Sequence, residues 1–329
     1  MGLAVEKLNV EAEKHRSKCE QCQSLDPEFL QDVWQGLSEN KKRLSPKYFY
    51  DERGSQFFDD ICALAEYYPY RTELTMLPEV AKQLVSLLDD DLTIVEFGAG
   101  SLIKIRPLLK EMKQVRSFIP VDVSGEHLYQ SARALRHEFP DVRVKPHVAD
   151  MCAPGQLPST KHKKMGFFPG STIGNFDAVD AVQFLKSVRE SLGAEAKLLI
   201  GVDTKKSPAI LHRAYNDQRG ITASFNLNVL RRLNNELDSD IDLRQFEHYA
   251  FYNASQGCIE MHLVSTCYQE FSVAGRSFSM HAGESIHTEN SYKYTPEQFQ
   301  HLAAQAGWQI QEKWLADGDM FSIFLLSAD

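Results

Sequence analysis

The chain has 329 residues, of which 43% are hydrophobic and 25% are charged, and its formal net charge is −9. This size and composition suit one large core or two smaller ones, and the acidic balance excludes a global basic field that would attract nucleic acid. No apolar run approaches the roughly 18 residues that span a bilayer, and residues 1–7 lack the pattern of a secretory signal. We therefore expect a cytoplasmic protein with neither a nucleic-acid nor a membrane partner.

Residues 1–71 have a largely helical pattern, and Asp26 followed by a proline predicts the cap and first turn of a helix. The six cysteines are scattered along the chain, which does not indicate a disulfide framework. Only Cys19 and Cys22 have a spacing suited to metal or redox chemistry, and neither a second pair nor a histidine cluster follows them. We interpret them as two thiols on an N-terminal helix and predict no metal site.

The middle of the chain alternates helical and extended patterns, which predicts a mostly parallel sheet covered by helices. Ser124 is expected to cap the helix that begins beside it. The predicted strands lie at 92–97, 117–121, 142–148, 164–168 and 196–202. The predicted helices lie near 73–89, 102–114, 124–138 and 177–192.

The sequence TIVEFGAGS at 93–101 is the most informative stretch, because an apolar run ends in an acid and a glycine turn. The next two strands end in Asp122 and Asp150, so one edge of the sheet would carry a glycine turn and two carboxylates, where open α/β folds bind ligands. A dinucleotide site would prefer a third glycine, and only Gly98 and Gly100 are present. This favours S-adenosylmethionine, which offers ribose hydroxyls and an adenine but no phosphate. The ordinary alternative is that these acidic residues only cap the ends of the strands.

Three groups of residues are expected to contact this cofactor. The turn residues Glu96, Gly98, Ala99, Gly100 and Ser101 would surround its amino-acid part. The ribose would be held by Asp122, and the adenine by Asp150 and Met151.

The α/β alternation ends near residue 206. Two helices separated at Gly220 are followed by alternating segments such as 258–265, which predict antiparallel strands. Thr295 then starts a helix with a capping-box pattern. The last two predicted strands, at 308–314 and 320–326, would form a hairpin that closes the sheet.

These patterns predict an α/β protein of the class I S-adenosylmethionine-dependent methyltransferase type, with a Rossmann-like seven-stranded sheet and a second α+β lobe that binds substrate. The methyltransferase domain would comprise residues 72–205 and 294–329. The substrate-binding lobe would comprise residues 1–71 and 206–293.

Several polar or aromatic stretches have ordinary explanations when each is taken alone. Dense tyrosines near residues 48–70 are typical of interface packing, and the loop at 170–175 contains glycines that permit unusual backbone angles. The polar stretch at 281–294 would be a solvated loop. Their combination is more specific, and the motifs are YDERGS (50–55), EYYPYRTE (66–73), PVDVS (120–124), GSTIGN (170–175), TASFNLN (222–228) and TENSYK (288–293).

In this order, from about residue 40 to the C-terminus, the motifs resemble those of the L-histidine Nα-methyltransferases of ergothioneine biosynthesis. The resemblance implies S-adenosylmethionine-dependent trimethylation of the histidine α-amine, which yields hercynine. It also implies a monomer whose partner is a free amino acid.

The resemblance further implies roles for residues around the reacting amine. Asn175 would hold the amine and the carboxylate, Tyr67 and Tyr215 would bind the carboxylate, and Tyr50 would lie near the amine through water. Asn175, Tyr67 and Tyr50 are thus the candidate catalytic residues. Lys104 would lie near the carboxylate of the cofactor, although a solvent-facing helix residue is the ordinary alternative.

For the imidazole ring, the resemblance implies hydrogen bonds with Glu289, which would accept a ring N–H, and with Ser291. It also implies packing by Met261 and a wall formed by Phe225. A buried carboxylate left without a partner costs about 1–3 kcal/mol, so Glu289 favours histidine over an apolar aromatic substrate. The same chemistry on another amino acid such as tryptophan, or on a histidine-derived small molecule, stays open. So do a binding protein without turnover and an RNA methyltransferase with a local basic groove.

Overall fold

A computed structural model describes residues 25–88, 90–193 and 195–328. The cysteine pair at 19 and 22 lies outside the described residues. Asp26 caps the first helix as predicted, since its carboxylate accepts hydrogen bonds from the backbone N–H groups of Glu28 and Phe29. The helices are α1 (Pro27–Ser38), α2 (Glu52–Cys62), α3 (Tyr68–Leu87), α4 (Ile105–Glu111), α5 (Gly125–Glu138), α6 (Ala178–Leu192), α7 (Pro208–Tyr215), α8 (Ile221–Glu236) and α9 (Pro296–Gln305).

The strands of the central sheet are β1 (Leu92–Phe97), β2 (Val115–Asp122), β3 (Arg143–Val144), β4 (His147–Val148), β5 (Lys163–Phe168), β6 (Lys197–Asp203), β12 (Trp308–Leu315) and β13 (Phe321–Ala328). Their order is β12-β13-β6-β5-β1-β2-β3, with the short strand β4 beside β2. The pairs among β1, β2, β3, β5 and β6 are parallel, whereas β13 runs antiparallel to both β6 and β12. The predicted fold class is therefore confirmed, including the closing hairpin.

Two details of the prediction are wrong. The single strand expected at 142–148 is divided into β3 and β4, and Pro146 lies at the break because it has no N–H to donate to the sheet. The sheet thus has eight strands in seven positions. Ser124 stands at the start of α5 but makes no side-chain cap; its hydroxyl instead donates to the backbone carbonyl of Tyr50, at 3.2 Å.

Helices cover both faces of the central sheet, and alternate residues of each strand enter different apolar clusters. On β1, Ile94 belongs to the cluster formed with α3, α4 and α5, whereas Val95 belongs to the cluster formed with α6 and α9. Both side chains are fully buried. Within the described ranges, no helix is both long enough and apolar enough to cross a membrane.

A third apolar cluster combines residues from 29–68 with residues from 211–286. The strands in this part of the chain are β7 (Phe246–Asn253), β8 (Cys258–Ser265), β9 (Gln269–Val273), β10 (Arg276–Met280) and β11 (Ser285–Tyr292). The cluster includes the inner face of a three-stranded antiparallel sheet, ordered β11-β8-β7, and a separate hairpin of β9 and β10. This shared core supports the lobe division predicted from the sequence, which stays a proposal.

Candidate active site

The turn after β1 meets the end of β2 at the carboxyl edge of the central sheet. Gly98 and Gly100 have φ angles of 67° and 52°, a backbone region that favours glycine. The backbone N–H of Gly100 donates to Asp122 Oδ2 at 3.0 Å, and that of Ser124 donates to Asp122 Oδ1 at 2.8 Å. The glycine turn and the first of the two predicted carboxylates are therefore in direct contact.

A buried pair of charges lies beside this turn. The ammonium of Lys104 lies 2.6 Å from Glu73 Oε2, which also accepts the N–H of Gly170 at 2.8 Å. Lys104 is thus an ion-paired residue with a side chain that is only 13% exposed, and not a solvent-facing one. Glu73, on α3, was missed by the sequence analysis, although it ends one of the motifs.

Other predicted cofactor residues surround the same turn. The N–H of Ala99 donates to the carbonyl of Val121 at 3.1 Å, and a side chain at position 98 would come within 3.0 Å of Met151 Sδ. Ser101 adjoins the turn and is partly exposed. Asp150 lies two residues beyond the end of β4. It is exposed, and its carboxylate accepts the backbone N–H of Cys152 at 2.8 Å.

These residues fit S-adenosylmethionine. Glu96 is buried at the end of β1 with Oε2 unpartnered, and burial, opposed by Lys104, raises the pKa of its carboxyl well above the usual range. An unpartnered polar atom at this position matches a ligand with N–H and O–H donors. Asp122 would hold the ribose and Lys104 would attract the carboxylate of the cofactor. When bound, this cofactor supplies an electrophilic methyl group on a cationic sulfur.

A pocket opens between this edge and the β11-β8-β7 sheet. Gly170, Ser171 and Thr172 form part of its wall on the sheet side. Its lining includes all eight residues predicted to bind substrate: Tyr50, Tyr67, Asn175, Tyr215, Phe225, Met261, Glu289 and Ser291. The fold thus brings together side chains from positions 50 to 291.

Aromatic rings form one side of the pocket. The Tyr50 ring lies 5.7 Å from the Phe225 ring and 5.8 Å from the Phe58 ring, both in edge-on contacts. The rings of Tyr67 and Tyr215 meet in the same way at 6.0 Å. Burial raises the pKa of all three tyrosines, so each phenol is a neutral hydrogen-bonding group.

Strands β8 and β11 form the opposite side. Glu289 pairs with Met261 across the two strands, next to an irregularity in the ladder between His287 and Glu289. Burial raises the pKa of the Glu289 carboxyl to about 7, an effect that Lys293 opposes. Among the described residues, none makes a hydrogen bond with this carboxylate. It is a buried acceptor that faces the pocket without a protein donor.

A buried charge network forms the floor of the pocket around Asp203, the last residue of β6. Asp203 Oδ2 accepts from the phenol of Tyr68 at 2.7 Å and lies 3.0 Å from the ammonium of Lys293. Lys206 lies 2.5 Å from the other carboxylate oxygen. Burial opposes the charge of Asp203, but the two lysines hold the pKa of its carboxyl below the ordinary value.

Lys293 connects this network to the predicted substrate residues. Its ammonium donates to the phenol of Tyr215 at 3.0 Å and to the hydroxyl of Ser291 at 2.8 Å, and those two oxygens share a hydrogen bond of 2.8 Å. Burial opposes its charge, but Asp203 and Tyr215 raise the pKa of Lys293 above its ordinary value. The pocket therefore contains a permanent positive charge.

Lys293, Asp203 and Tyr68 were not among the predicted site residues. Lys293 ends the TENSYK motif and Tyr68 lies within EYYPYRTE, so their motifs pointed to the region without indicating a role. Asp203 follows an apolar strand in the same way as Asp122, and this position was the available signal.

Comparison with known proteins identifies the family. A family model described as "Histidine-specific methyltransferase, SAM-dependent" matches residues 29–328. The chain belongs to this family. Its fold, its cofactor and its class as an S-adenosylmethionine-dependent N-methyltransferase thus agree with the sequence prediction.

Relatives with curated names span most of the chain. A histidine N-alpha-methyltransferase of Mycolicibacterium smegmatis is 38% identical over 300 residues, covering 89% of this chain and 93% of the relative. The protein of the same name from Mycobacterium tuberculosis is 35% identical, with the same two coverages. Ergothioneine biosynthesis protein 1 of Neurospora crassa is 31% identical over 87% of this chain, which matches 33% of that longer protein.

Proposed function

We propose that the enzyme transfers three methyl groups in succession from S-adenosylmethionine to the α-amine of L-histidine, forming hercynine for ergothioneine biosynthesis. The observation that carries this proposal is a pocket that places an unpaired, buried Glu289 opposite a buried Lys293 network, beside the glycine turn. A zwitterionic amino acid with an imidazole N–H complements both ends of such a pocket.

The Glu289 end would bind the imidazole. A ring N–H donating to this carboxylate removes the cost of a buried acceptor without a donor. Ser291 supplies a second polar contact on the same strand, and Met261 offers an apolar surface to the ring face. Tryptophan also has an N–H, but its larger ring must fit the same space between β8 and α8.

The Lys293 end would bind the α-carboxylate. Tyr215 lies between the ammonium and the pocket, so donation from Lys293 makes its phenol a stronger hydrogen-bond donor toward a carboxylate. Tyr67 lies edge-on to Tyr215 and can donate to the other carboxylate oxygen. Charge-assisted contacts of this kind orient the substrate as well as attract it.

The α-amine would then face Asn175 and Tyr50, toward the cofactor edge. The α-amine of a free amino acid is protonated at neutral pH, so it must release a proton to solvent before the transfer. An oxygen of Asn175 or Tyr50 can then accept a hydrogen bond from the neutral amine. Alignment of this lone pair with the methyl group supplies much of the rate. The rings of Tyr50, Phe58, Tyr67 and Phe225 favour the cationic methylated products, which permits repeated transfer.

The proposal is tested by a mass-spectrometric time course with the full chain, S-adenosylmethionine and a panel of free amino acids. We expect gains of one, two and three methyl groups on histidine and none on tryptophan. Methylation of a different amino acid would leave the cofactor site intact and overturn the assignment of Glu289. Glu289→Ala should reduce kcat/KM for histidine at least tenfold, with Glu247→Ala on the exposed face of β7 as the matched control.

We also propose that the enzyme is a cytoplasmic monomer. The four cysteines among the described residues are free thiols, which suits a reducing compartment. The pocket is lined by residues of one chain, so activity does not require a second copy. Light scattering of the protein as it elutes from a size-exclusion column should give a mass near 37.4 kDa. A mass twice as large would contradict the proposal of a monomer.

A further inference from the structure

Three potential metal ligands lie together on the outer face of the β11-β8-β7 sheet, behind the pocket. They are Glu260 and His262 on β8 and His287 on β11. One nitrogen from each imidazole and one carboxylate oxygen all lie within 4.8 Å of one another. Met261, between the first two, points to the opposite face and lines the pocket, so the cluster is separate from the substrate site.

The geometry is close to that of a metal site. Ligand atoms about 2.0–2.1 Å from a tetrahedral zinc ion lie roughly 3.4 Å apart, so the three groups need only small side-chain rotations to meet an ion. The side chains of His262 and Glu260 are 15% and 19% exposed, which leaves them accessible to an ion but restricted in movement. Strands β8 and β11 carry the three residues, and His262 pairs directly with His287 across them.

Neighbouring polar groups orient the ligands. Ser285 Oγ lies 3.1 Å from His262 Nδ1, Asn290 Oδ1 lies 2.9 Å from His287 Nε2, and the Asn253 amide donates to Glu260 Oε1 at 2.7 Å. Hydrogen bonds of this kind fix the ring orientation of histidine ligands in metal sites. The Phe251 ring also stacks on His262, with centroids 5.6 Å apart.

The charge of the cluster suits a cation. Glu260 Oε2 lies 3.1 Å from His262 Nε2, and in the described part of the chain Glu260 has no lysine or arginine partner. The Glu260 carboxylate therefore gives the cluster a negative charge. Two nitrogen donors and one oxygen donor favour zinc, cobalt, nickel or copper over magnesium and calcium, which prefer oxygen ligands.

We propose that Glu260, His262 and His287 form a binding site for one divalent transition-metal ion, with zinc as the reference ion. Three protein ligands leave a coordination position for water. This site differs from the sequence-based expectation of no metal site, because His287 follows His262 by 25 residues and only the pairing of β8 with β11 brings them together.

An ion at this site would stiffen the wall of the pocket. Glu289 follows His287 by two residues on β11, and the segment before α2 also joins here, where Leu44 N–H donates to the His287 carbonyl at 2.9 Å. The ion would join β8 to β11 at the irregular point of their ladder. The proposal concerns a site outside the substrate pocket, so its test does not depend on turnover.

The test is zinc titration by calorimetry of the full chain after removal of metal with a chelator. Cys19→Ser/Cys22→Ser serves as the background, so that the N-terminal thiols cannot account for binding. In this background we expect one equivalent of zinc to bind and to raise the unfolding temperature. His262→Asn and His287→Gln should each weaken zinc binding at least tenfold, whereas His281→Gln, an exposed histidine in the preceding turn, should not.

Cobalt provides a second readout that does not depend on the stability of a variant. A cobalt-loaded protein with nitrogen and oxygen ligands shows visible absorption without thiolate charge transfer. Equal zinc affinity in the three histidine variants, or thiolate charge transfer in the cobalt protein, would overturn the site. Thermal unfolding of the metal-free variants establishes that each one is folded.

Discussion

At the level of single residues, the two buried ionisable groups of the pocket, Lys293 and Glu289, differ in whether the protein supplies them with polar partners. Lys293 has Asp203 and two hydroxyl groups within hydrogen-bond distance, whereas Glu289 is buried without a donor among the described residues. Burial of an ionised carboxylate costs free energy unless hydrogen bonds or a countercharge compensate for it. The buried Glu289 carboxylate therefore lowers the stability of the free enzyme, and a hydrogen bond from a substrate N–H would recover part of the lost free energy.

The first prediction concerns the pH dependence of this cost. The pKa of Glu289 is about 7 in the folded protein, against an ordinary value of 4.5. Between pH 4.5 and pH 7 the carboxyl group is therefore protonated in the folded state and ionised in the unfolded state. The contribution of Glu289 to stability thus falls as pH rises from 4.5 to 7. Glu289→Gln should increase the free energy of unfolding by about 3 kcal/mol at pH 8 and leave it nearly unchanged at pH 4.5.

Urea unfolding at the two pH values measures this difference. The exposed Glu247→Gln variant is the control and should show no pH-dependent change relative to the parent. A Glu289→Gln protein that is less stable than the parent at pH 8 would contradict the assignment of an unpaired carboxylate.

The second prediction concerns Lys293. Lys293→Met leaves the buried Asp203 with one cation fewer, and removal of one partner from a buried ion pair typically costs about 3–5 kcal/mol. The affinity for histidine should fall as well, because Tyr215 loses its donor. Denaturant unfolding and equilibrium binding measure the two effects, and Lys205→Met, an exposed neighbour, should change neither.

Close packing between two elements positions the cofactor residues. Gly201 lies on β6 against Glu73 of α3, and a Cβ atom at position 201 would lie 1.9 Å from Glu73 Oε1. This contact allows the Glu73 carboxylate to reach both Lys104 and the N–H of Gly170. The absence of one side chain on a strand therefore sets the position of a helix residue beside the glycine turn.

The third prediction follows from this contact. Gly201→Ala should displace Glu73, lower the free energy of unfolding by about 1–3 kcal/mol and raise the KM for S-adenosylmethionine several-fold. Gly166→Ala on β5 is the matched control, because its Cβ would meet only the ends of Leu198 and Leu192, at 2.8 and 3.0 Å. That variant should lose stability but keep the KM; equal KM changes in both would refute a specific role for Glu73.

The elements that sequence patterns predicted well have strong local signals. The capping box at Thr295 and the alternation of 258–265 both appear as predicted, because each depends on residues close together in the chain. The prediction of one strand at 142–148 is wrong because the apolar pattern continues across Pro146, which interrupts the strand. Contacts such as Glu73 with Lys104 have no spacing signal, since folding rather than sequence proximity brings them together.

The site residues also divide into those that sequence motifs identified and those that only the fold brings together. The sequence motifs identified residues that the fold brings into one pocket, including Asn175, Phe225 and Glu289. Their roles stay proposals. The Asp203 network was missed because its members come from α3, the end of β6 and the residue after β11, and each looks ordinary in its own segment.

At the level of the whole molecule, side chains from distant parts of the chain line the pocket that we propose for the substrate, which leads to a fourth prediction. A ligand that binds only the folded protein stabilises it by about 2.7 kcal/mol at one hundred times its dissociation constant. Histidine should therefore raise the unfolding temperature in the presence of S-adenosylhomocysteine. The same concentration of tryptophan should leave it unchanged, and equal shifts would argue against an imidazole-specific pocket.

The Asp203 network also bears on the order of events during folding. Its hydrogen bond to Tyr68 spans 135 residues of chain, and the bond between Lys206 and Tyr68 spans 138. Contacts of such long sequence separation require the closure of large loops, which costs conformational entropy. The central sheet depends on equally distant segments, since Leu77 of α3 and Phe321 of β13 share one apolar cluster. The floor of the pocket is therefore complete only when segments from both ends of the chain have come together, and a truncated or partly folded chain would lack the site that the proposed function requires.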